Sequence, residues 1–149
     1  VEGGYNRTGS RSPMQWNHGV NFGFSNASPE KLYIPTDDKP NSPTVEDQIN
    51  DPDSLYHEVK KLIAIRRANS ALLSDGDIEF VSDGADGAPL AYIRSSADEK
   101  ILVVVNPADR EAVLEVPGTW NVCLYTVGGI VKAEHGKLIV APKYANLLK

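Results

Sequence analysis

The sequence predicts a mainly β fold, an antiparallel β-sandwich preceded by one α-helix and a long irregular loop. Three textures carry that expectation. From Asp77 onward, short β-prone runs alternate with turn formers at about 8 to 12 residue spacing, the mark of a sandwich. Ahead of them, residues 51–69 place their apolar side chains on one helical stripe. Residues 1–50 hold five of the ten prolines, at positions 13, 29, 35, 40 and 43, with many Gly, Asn and Ser residues and no sustained period. Such a stretch reads as loop, and one so long is rare in a compact domain unless it is functional or packs on a larger body.

In the helix, Asp51 is a suitable N-cap and Pro52 suits the first helical position. Asp53 and Glu58 lie toward the positive end of the helix dipole, and Arg66 and Arg67 toward the negative end. Leu55, Val59, Leu62 and Ile63, with the stem of Arg66, form an apolar stripe that needs a partner surface. The expected strands are Ile78 to Ser82, Leu90 to Ser95, Ile101 to Asn106, Ala112 to Val116, Trp120 to Thr126, Ile130 to Ala133 and Lys137 to Val140. A last run, Ala145 to Leu148, adds an eighth. Asp83-Gly84-Ala85-Asp86-Gly87, Asn106-Pro107-Ala108-Asp109, Pro117-Gly118 and Gly128-Gly129 separate them as turns. The division expected is a loop and helix over 1–76 and a β-domain over 77–149.

Composition narrows the function classes. At 149 residues, 41% hydrophobic and 23% charged, the chain has the make-up of a soluble globular protein. Fifteen basic against twenty acidic residues give a net charge of -5, which repels phosphate backbones and anionic lipid. Nucleic acid is not an expected partner. No run approaches the roughly 20 apolar residues of a membrane span. The polar, glycine-rich start is not a signal peptide, and Val1 reads as a cut end. Cys123 is the single cysteine; between Val122 and Leu124 it is expected to be a buried, inert thiol, which fits a reducing, cytoplasmic compartment.

Most signatures of catalysis are missing. His18, His57 and His135 are far apart and none stands at metal-ligand spacing to another ligand, so no metal and no cofactor is expected. There is no Gly-x-Ser-x-Gly elbow and no phosphate-binding glycine loop. Glycosidases use two carboxylates about 5 to 9.5 Å apart. The sequence pairs Asp37-Asp38, Glu46-Asp47, Asp51-Asp53 and Asp75-Asp77 sit where caps and Asx-turns account for them. Asp83 to Gly87 lacks the ligand spacing of a calcium loop and reads as a hairpin turn. Asn6-Arg7-Thr8 and Asn26-Ala27-Ser28 match the N-glycosylation sequon, a triplet common by chance.

One segment is distinctive: Arg11-Ser12-Pro13-Met14-Gln15-Trp16-Asn17, followed by Asn21-Phe22-Gly23-Phe24-Ser25. It joins a guanidinium, aromatic platforms and amides across an extended bend at Ser12-Pro13, a composition suited to a sugar. By residue chemistry alone, a small satellite core of Trp16, Phe22 and Phe24 pinning a loop is the favoured account.

This segment resembles the Arg-Thr-Pro-Met-Gln-Trp motif of the α-amylase family, as found in its α-glucosidases, oligo-1,6-glucosidases and trehalose synthases, with Ser12 in place of Thr. Leu32-Tyr33-Ile34-Pro35, Val45-Glu46-Asp47-Gln48 and Asp51-Pro52-Asp53-Ser54-Leu55 resemble family segments that follow it. Lys61-Leu62-Ile63-Ala64-Ile65-Arg66 is similar to the core of the family's last barrel helix. Pro89 to Arg94 and Leu102 to Asn106 are similar to the opening strands of its C-terminal β-domain. The resemblance implies a loop and last helix from the end of a (β/α)8 barrel, then the C-terminal sandwich. A whole barrel takes about 250 residues, and the family's nucleophile, general acid and stabilising aspartate lie on strands before this loop. The resemblance therefore implies a C-terminal fragment of a retaining hydrolase or transglycosylase of α-linked gluco-oligosaccharides, with no catalytic residue of its own and inactive alone. Its expected partners are an α-glucoside substrate and the missing barrel, with association through the helix stripe. Arg11 corresponds to the motif arginine that contacts the sugar, while Gln15 and Trp16 shape the loop. Arg7 and His18 receive no role. A freestanding carbohydrate-binding module using Trp16, Phe22, Phe24 and Trp120 is the alternative.

Overall fold

A computed structural model describes residues 11–37, 39, 41–129, 132–134 and 136–149. The chain divides into two compact units, Val1–Lys61 and Leu62–Lys149. Arg7, the first sequon and His135 lie outside the described residues.

The second unit is the antiparallel sandwich. Its strands are β1 (Asp77–Asp83), β2 (Leu90–Ser95), β3 (Lys100–Asn106), β4 (Ala112–Glu115), β5 (Cys123–Val127), β6 (Lys132–Glu134), β7 (Lys137–Val140) and β8 (Tyr144–Leu148). They form a five-stranded sheet in the order β1-β2-β3-β8-β5 and a three-stranded sheet in the order β4-β7-β6, with antiparallel pairing throughout. Ala91, Ile93, Leu102, Val104, Tyr144 and Leu148 of the larger sheet meet Leu114, Leu138 and Val140 of the smaller one, with Val116 just past β4, in one core. Alternate residues on a strand face opposite sides, so Ile101 and Val103 point away from that core. They are buried instead beneath Ala71, on a 3-10 turn at Ser70–Leu72. The unbroken run Ile101 to Val105 is thus a central strand covered on both faces.

Turn chemistry joins the strands as expected. Between β1 and β2, the Ala85 amide donates to Asp83 Oδ1 at 2.9 Å and Gly84 takes φ 77°, a left-handed value. Asn106 is fully buried at the end of β3, and its Nδ2 donates to the carbonyls of Arg110 and Ala141, each at 2.9 Å. One amide thereby ties the β3–β4 connection to the end of β7.

Three expectations need correction. Trp120 is not in a strand: its Nε1 donates to Pro117 O at 3.0 Å, which curls Pro117–Trp120 into a turn, and β5 begins only at Cys123. Cys123 is exposed rather than buried, because β5 is an edge strand whose register slips between Cys123 and Tyr125. The helix α2 runs Leu55–Ala68, not from Asp51. Asp51 instead closes a short helix, α1 (Val45–Asn50), its amide donating to Asp47 O at 3.0 Å.

Ser54 immediately precedes α2, and its carbonyl accepts from the Glu58 amide at 3.1 Å. The charges follow the helix dipole as expected, with Glu58 in the first turn and Arg66 and Arg67 in the last. No residue of α2 is buried. Leu55, Val59, Leu62 and Ile63 are 72%, 44%, 37% and 48% exposed, so the whole stripe faces outward.

Candidate functional site

The distinctive segment builds a loop that closes on itself and on α1. The amides of Trp16 and Asn17 both donate to Phe22 O, at 2.9 and 3.2 Å. To turn the chain within that span, Asn21, Phe22 and Gly23 take φ of 51°, 53° and 70°. A left-handed Gly or Asn is common, but a bulky Phe there is strained and persists only where its surroundings hold it. Asn21 does that holding: its buried Nδ2 donates to Ser25 O at 3.0 Å and Ala27 O at 2.7 Å. Gly23 is needed twice over, since a Cβ there would also sit 2.8 Å from the Asn17 amide group. Asn17 Oδ1 in turn accepts from the Gly19 amide at 2.9 Å.

The first-turn amides of α1, which lack helical acceptors, fasten the loop. Val45 N donates to Gln15 O at 2.9 Å and Glu46 N to Trp16 O at 3.0 Å. Thr44 is buried and its Oγ1 accepts from the Asp47 amide at 3.1 Å, an N-cap. The same hydroxyl donates to Asp47 Oδ2 at 2.8 Å, and His18 Nε2 approaches that oxygen at 2.8 Å. The Thr44 bond, with a smaller part from His18, holds the Asp47 carboxyl below its ordinary value against the opposing effect of desolvation. His18 and Asp47 are 62% and 50% exposed, so the pair is a surface clasp. Sequence reasoning gave neither residue this role. Thr44-x-x-Asp47 is a legible capping pattern, whereas the clasp between positions 18 and 47 has no local signal.

Gln15 and Trp16 thus lend their backbone to the loop's anchor. Trp16 and Phe24 are half-exposed and Phe22 half-buried, so these rings are displayed rather than gathered into a satellite core. Pro13 is buried and Arg11, just before it, is exposed. Two of the sequence carboxylate pairs have a member in a local turn: Asp37 accepts from the Lys39 amide at 3.2 Å and Asp51 from the Asp53 amide at 3.0 Å. Asp38 lies outside the described residues. His57 Nε2 lies 2.9 Å from Ile49 O, and among the described residues no three metal-ligating side chains come together. No helix among them is long and apolar enough to cross a membrane.

Residues 2–76 match the family model for the alpha-amylase catalytic domain. The chain belongs to the α-amylase family. Residues 78–127 match the model for the maltogenic amylase C-terminal domain, in the order that the sequence resemblance implies. A probable alpha-glucosidase of Rhizobium meliloti is 36% identical over 111 residues, 74% of this chain and 19% of that protein. A trehalose synthase of Pimelobacter is 39% identical over 108 residues, 67% of this chain and 18% of that protein. Among solved structures, the trehalulose synthase MutB of Pseudomonas mesoacidophila superposes with a TM-score of 0.76 at 26% identity, covering 94% of this chain and 25% of MutB. An isomaltulose synthase mutant of Erwinia rhapontici, solved with D-glucose, gives 0.75 at 28% identity, covering 94% of this chain and 25% of that one. The chain spans about a fifth of the length of the curated relatives it matches.

Proposed function

We propose that this chain works as the C-terminal part of an enzyme that hydrolyses or transfers α-linked glucosyl units by a retaining mechanism. Its role there is to supply one loop of the sugar pocket, over Arg11 to Trp16, and a stabilising β-domain that begins at Asp77. The observation that carries the reading is the catalytic-domain match over residues 2–76, on a chain covering only 19% of its α-glucosidase relative. The two carboxylates of a retaining site are then supplied by the rest of the catalytic domain. The outward stripe of Leu55, Val59, Leu62 and Ile63 supports the same reading, since an apolar row of this kind is a surface waiting for a partner. Here that partner is the remainder of the barrel.

In this reading Arg11 binds the sugar. Its exposed guanidinium is always charged and planar, and it donates paired hydrogen bonds to neighbouring hydroxyls or steadies an active-site carboxylate. A charge-assisted hydrogen bond contributes about 1.5 to 3 kcal/mol. In the enzyme containing this segment, Arg11→Ala is expected to lower kcat/KM roughly 10 to 150-fold, at about 1.4 kcal/mol per decade. Arg11→Lys is expected to restore little of it, and thermal unfolding should not change. A surface arginine worth about 0 to 1 kcal/mol gives less than a fivefold loss. Near-normal kinetics in both variants would remove Arg11 from the pocket.

A further inference from the structure

Away from the motif loop, the sandwich has a cleft of about 190 Å³ between the Pro117–Trp120 turn and the start of β7, lined by Val116, Thr119, Trp120, Asn121, Lys137 and Leu138 among others. Its floor is the end of the hydrophobic core, because Val116 and Leu138 are buried core members and Trp120 packs against them. The indole is fixed rather than free to swing, its N–H committed to Pro117 O at 3.0 Å. Gly118, at φ 88°, passes beside the ring edge, where even an added Cβ would keep ordinary contact at 3.9 Å.

The rim differs from the floor. Thr119 and Asn121 are exposed, and their side chains are engaged by no hydrogen bond among the described residues. Lys137 Nζ is already neutralised by Glu115 at 3.0 Å. Among the described lining residues an anion therefore finds no unpaired positive charge, and a purely apolar ligand leaves the hydroxyl and amide unused. What matches an apolar indole floor under a rim of neutral donors and acceptors is a polyhydroxylated ring with C–H faces and hydroxyl edges. The volume is below the roughly 300 to 1,000 Å³ of drug-sized pockets, so it admits one ring.

We propose that this cleft is a second, non-catalytic saccharide site that takes a single glucosyl unit of an α-gluco-oligosaccharide, with Trp120 as floor and Thr119 and Asn121 as hydroxyl partners. The choice of α-glucosyl ligand rests on the proposed function above; the site itself rests on the cleft. Its use would be to hold a long substrate on the β-domain while another end is processed.

Titration of the 149-residue chain with isomaltotriose, followed by NMR, tests this without any turnover, so an inactive enzyme and an absent site give different results. The Trp120 indole N–H and the Thr119 and Asn121 amides should shift together and saturate, with a Kd on the order of 1 mM. Loss of one neutral hydrogen bond, about 1 kcal/mol, makes Asn121→Ala bind roughly fivefold more weakly. Because Asn121 is exposed, thermal unfolding of this variant should match the parent, and Thr119→Ala serves as a second probe if it does not. Arg11→Ala should leave the shifts intact. No shift at about ten times that concentration overturns the proposal, as does an equal response to glycerol, an unchanged affinity in both rim variants, or loss of the shifts in Arg11→Ala.

Discussion

At the scale of single residues, the motif loop depends on polar atoms that each serve two partners. Asp47 Oδ2 receives both the Thr44 hydroxyl and His18 Nε2, each at 2.8 Å. The Thr44 hydrogen bond, with a smaller part from His18, holds its carboxyl below the ordinary aspartate value in the folded chain. A depressed carboxylate contributes stability that is present above its unfolded pKa and is lost as pH falls through the folded one. Protection of the Trp16 and Asn17 amides from hydrogen exchange should therefore hold from neutral pH to about pH 4 and weaken below it. Asp47→Asn should lack that step. Identical profiles for the variant and the parent would show that the clasp does not hold the loop. Asn106 makes a separate test in the sandwich. Asn106→Ala leaves the carbonyls of Arg110 and Ala141 without their donor, and an unsatisfied buried group costs about 1 to 3 kcal/mol. Chemical denaturation should show a loss of that order; a loss under 0.5 kcal/mol, the ordinary size of a surface change, would mean that water replaces the amide.

Among the elements, legibility in the sequence followed the range of the forces involved. The bounds of β2 and β7 could be read directly, because Leu90–Ser95 and Lys137–Val140 are short β-prone runs, a local signal, and their burial alternates from face to face. The helix α1 escaped periodicity because six residues are too few to repeat a pattern, although its Thr44 cap was visible in principle. Asp51 misled for a physical reason: an Asp before Pro is a good N-cap, yet here its amide ends α1 and its carboxylate makes an Asx-turn with Asp53. Trp120 looked like strand because nothing in its neighbours announces the bond to Pro117 O. For the candidate site, the sequence displayed the arginine, the amides and the rings. It could not display the left-handed run at Asn21 to Gly23, which follows no periodic pattern, or the His18–Asp47 clasp, which joins distant positions. The helix α2 was legible as an amphipathic stripe, and the structure leaves that stripe outward. The 149-residue chain should consequently associate as its concentration rises, and Val59→Lys with Leu62→Lys should suppress this without moving the unfolding of the sandwich. Sedimentation that is the same for both, at every concentration, would show that the stripe is not adhesive.

As a whole, this α-amylase-family chain divides into two compact units with different tasks in the proposed reading. The chain carries a motif loop anchored on α1, a helix with an uncovered apolar face, and a sandwich with its own core. Among its described carboxylates, Asp37, Asp51 and Asp83 accept from turn amides and Asp47 makes the clasp. A retaining site without nucleophile and acid has no covalent route. The decisive measurement is therefore hydrolysis of an aryl α-glucoside by the purified 149-residue chain, set beside the same chain joined to the rest of its catalytic domain. The joined protein should turn over the substrate and the 149-residue chain should not rise above the buffer rate. Turnover by the 149-residue chain alone, abolished by a substitution within it such as Asp47→Asn or Asp53→Asn, would contradict the account.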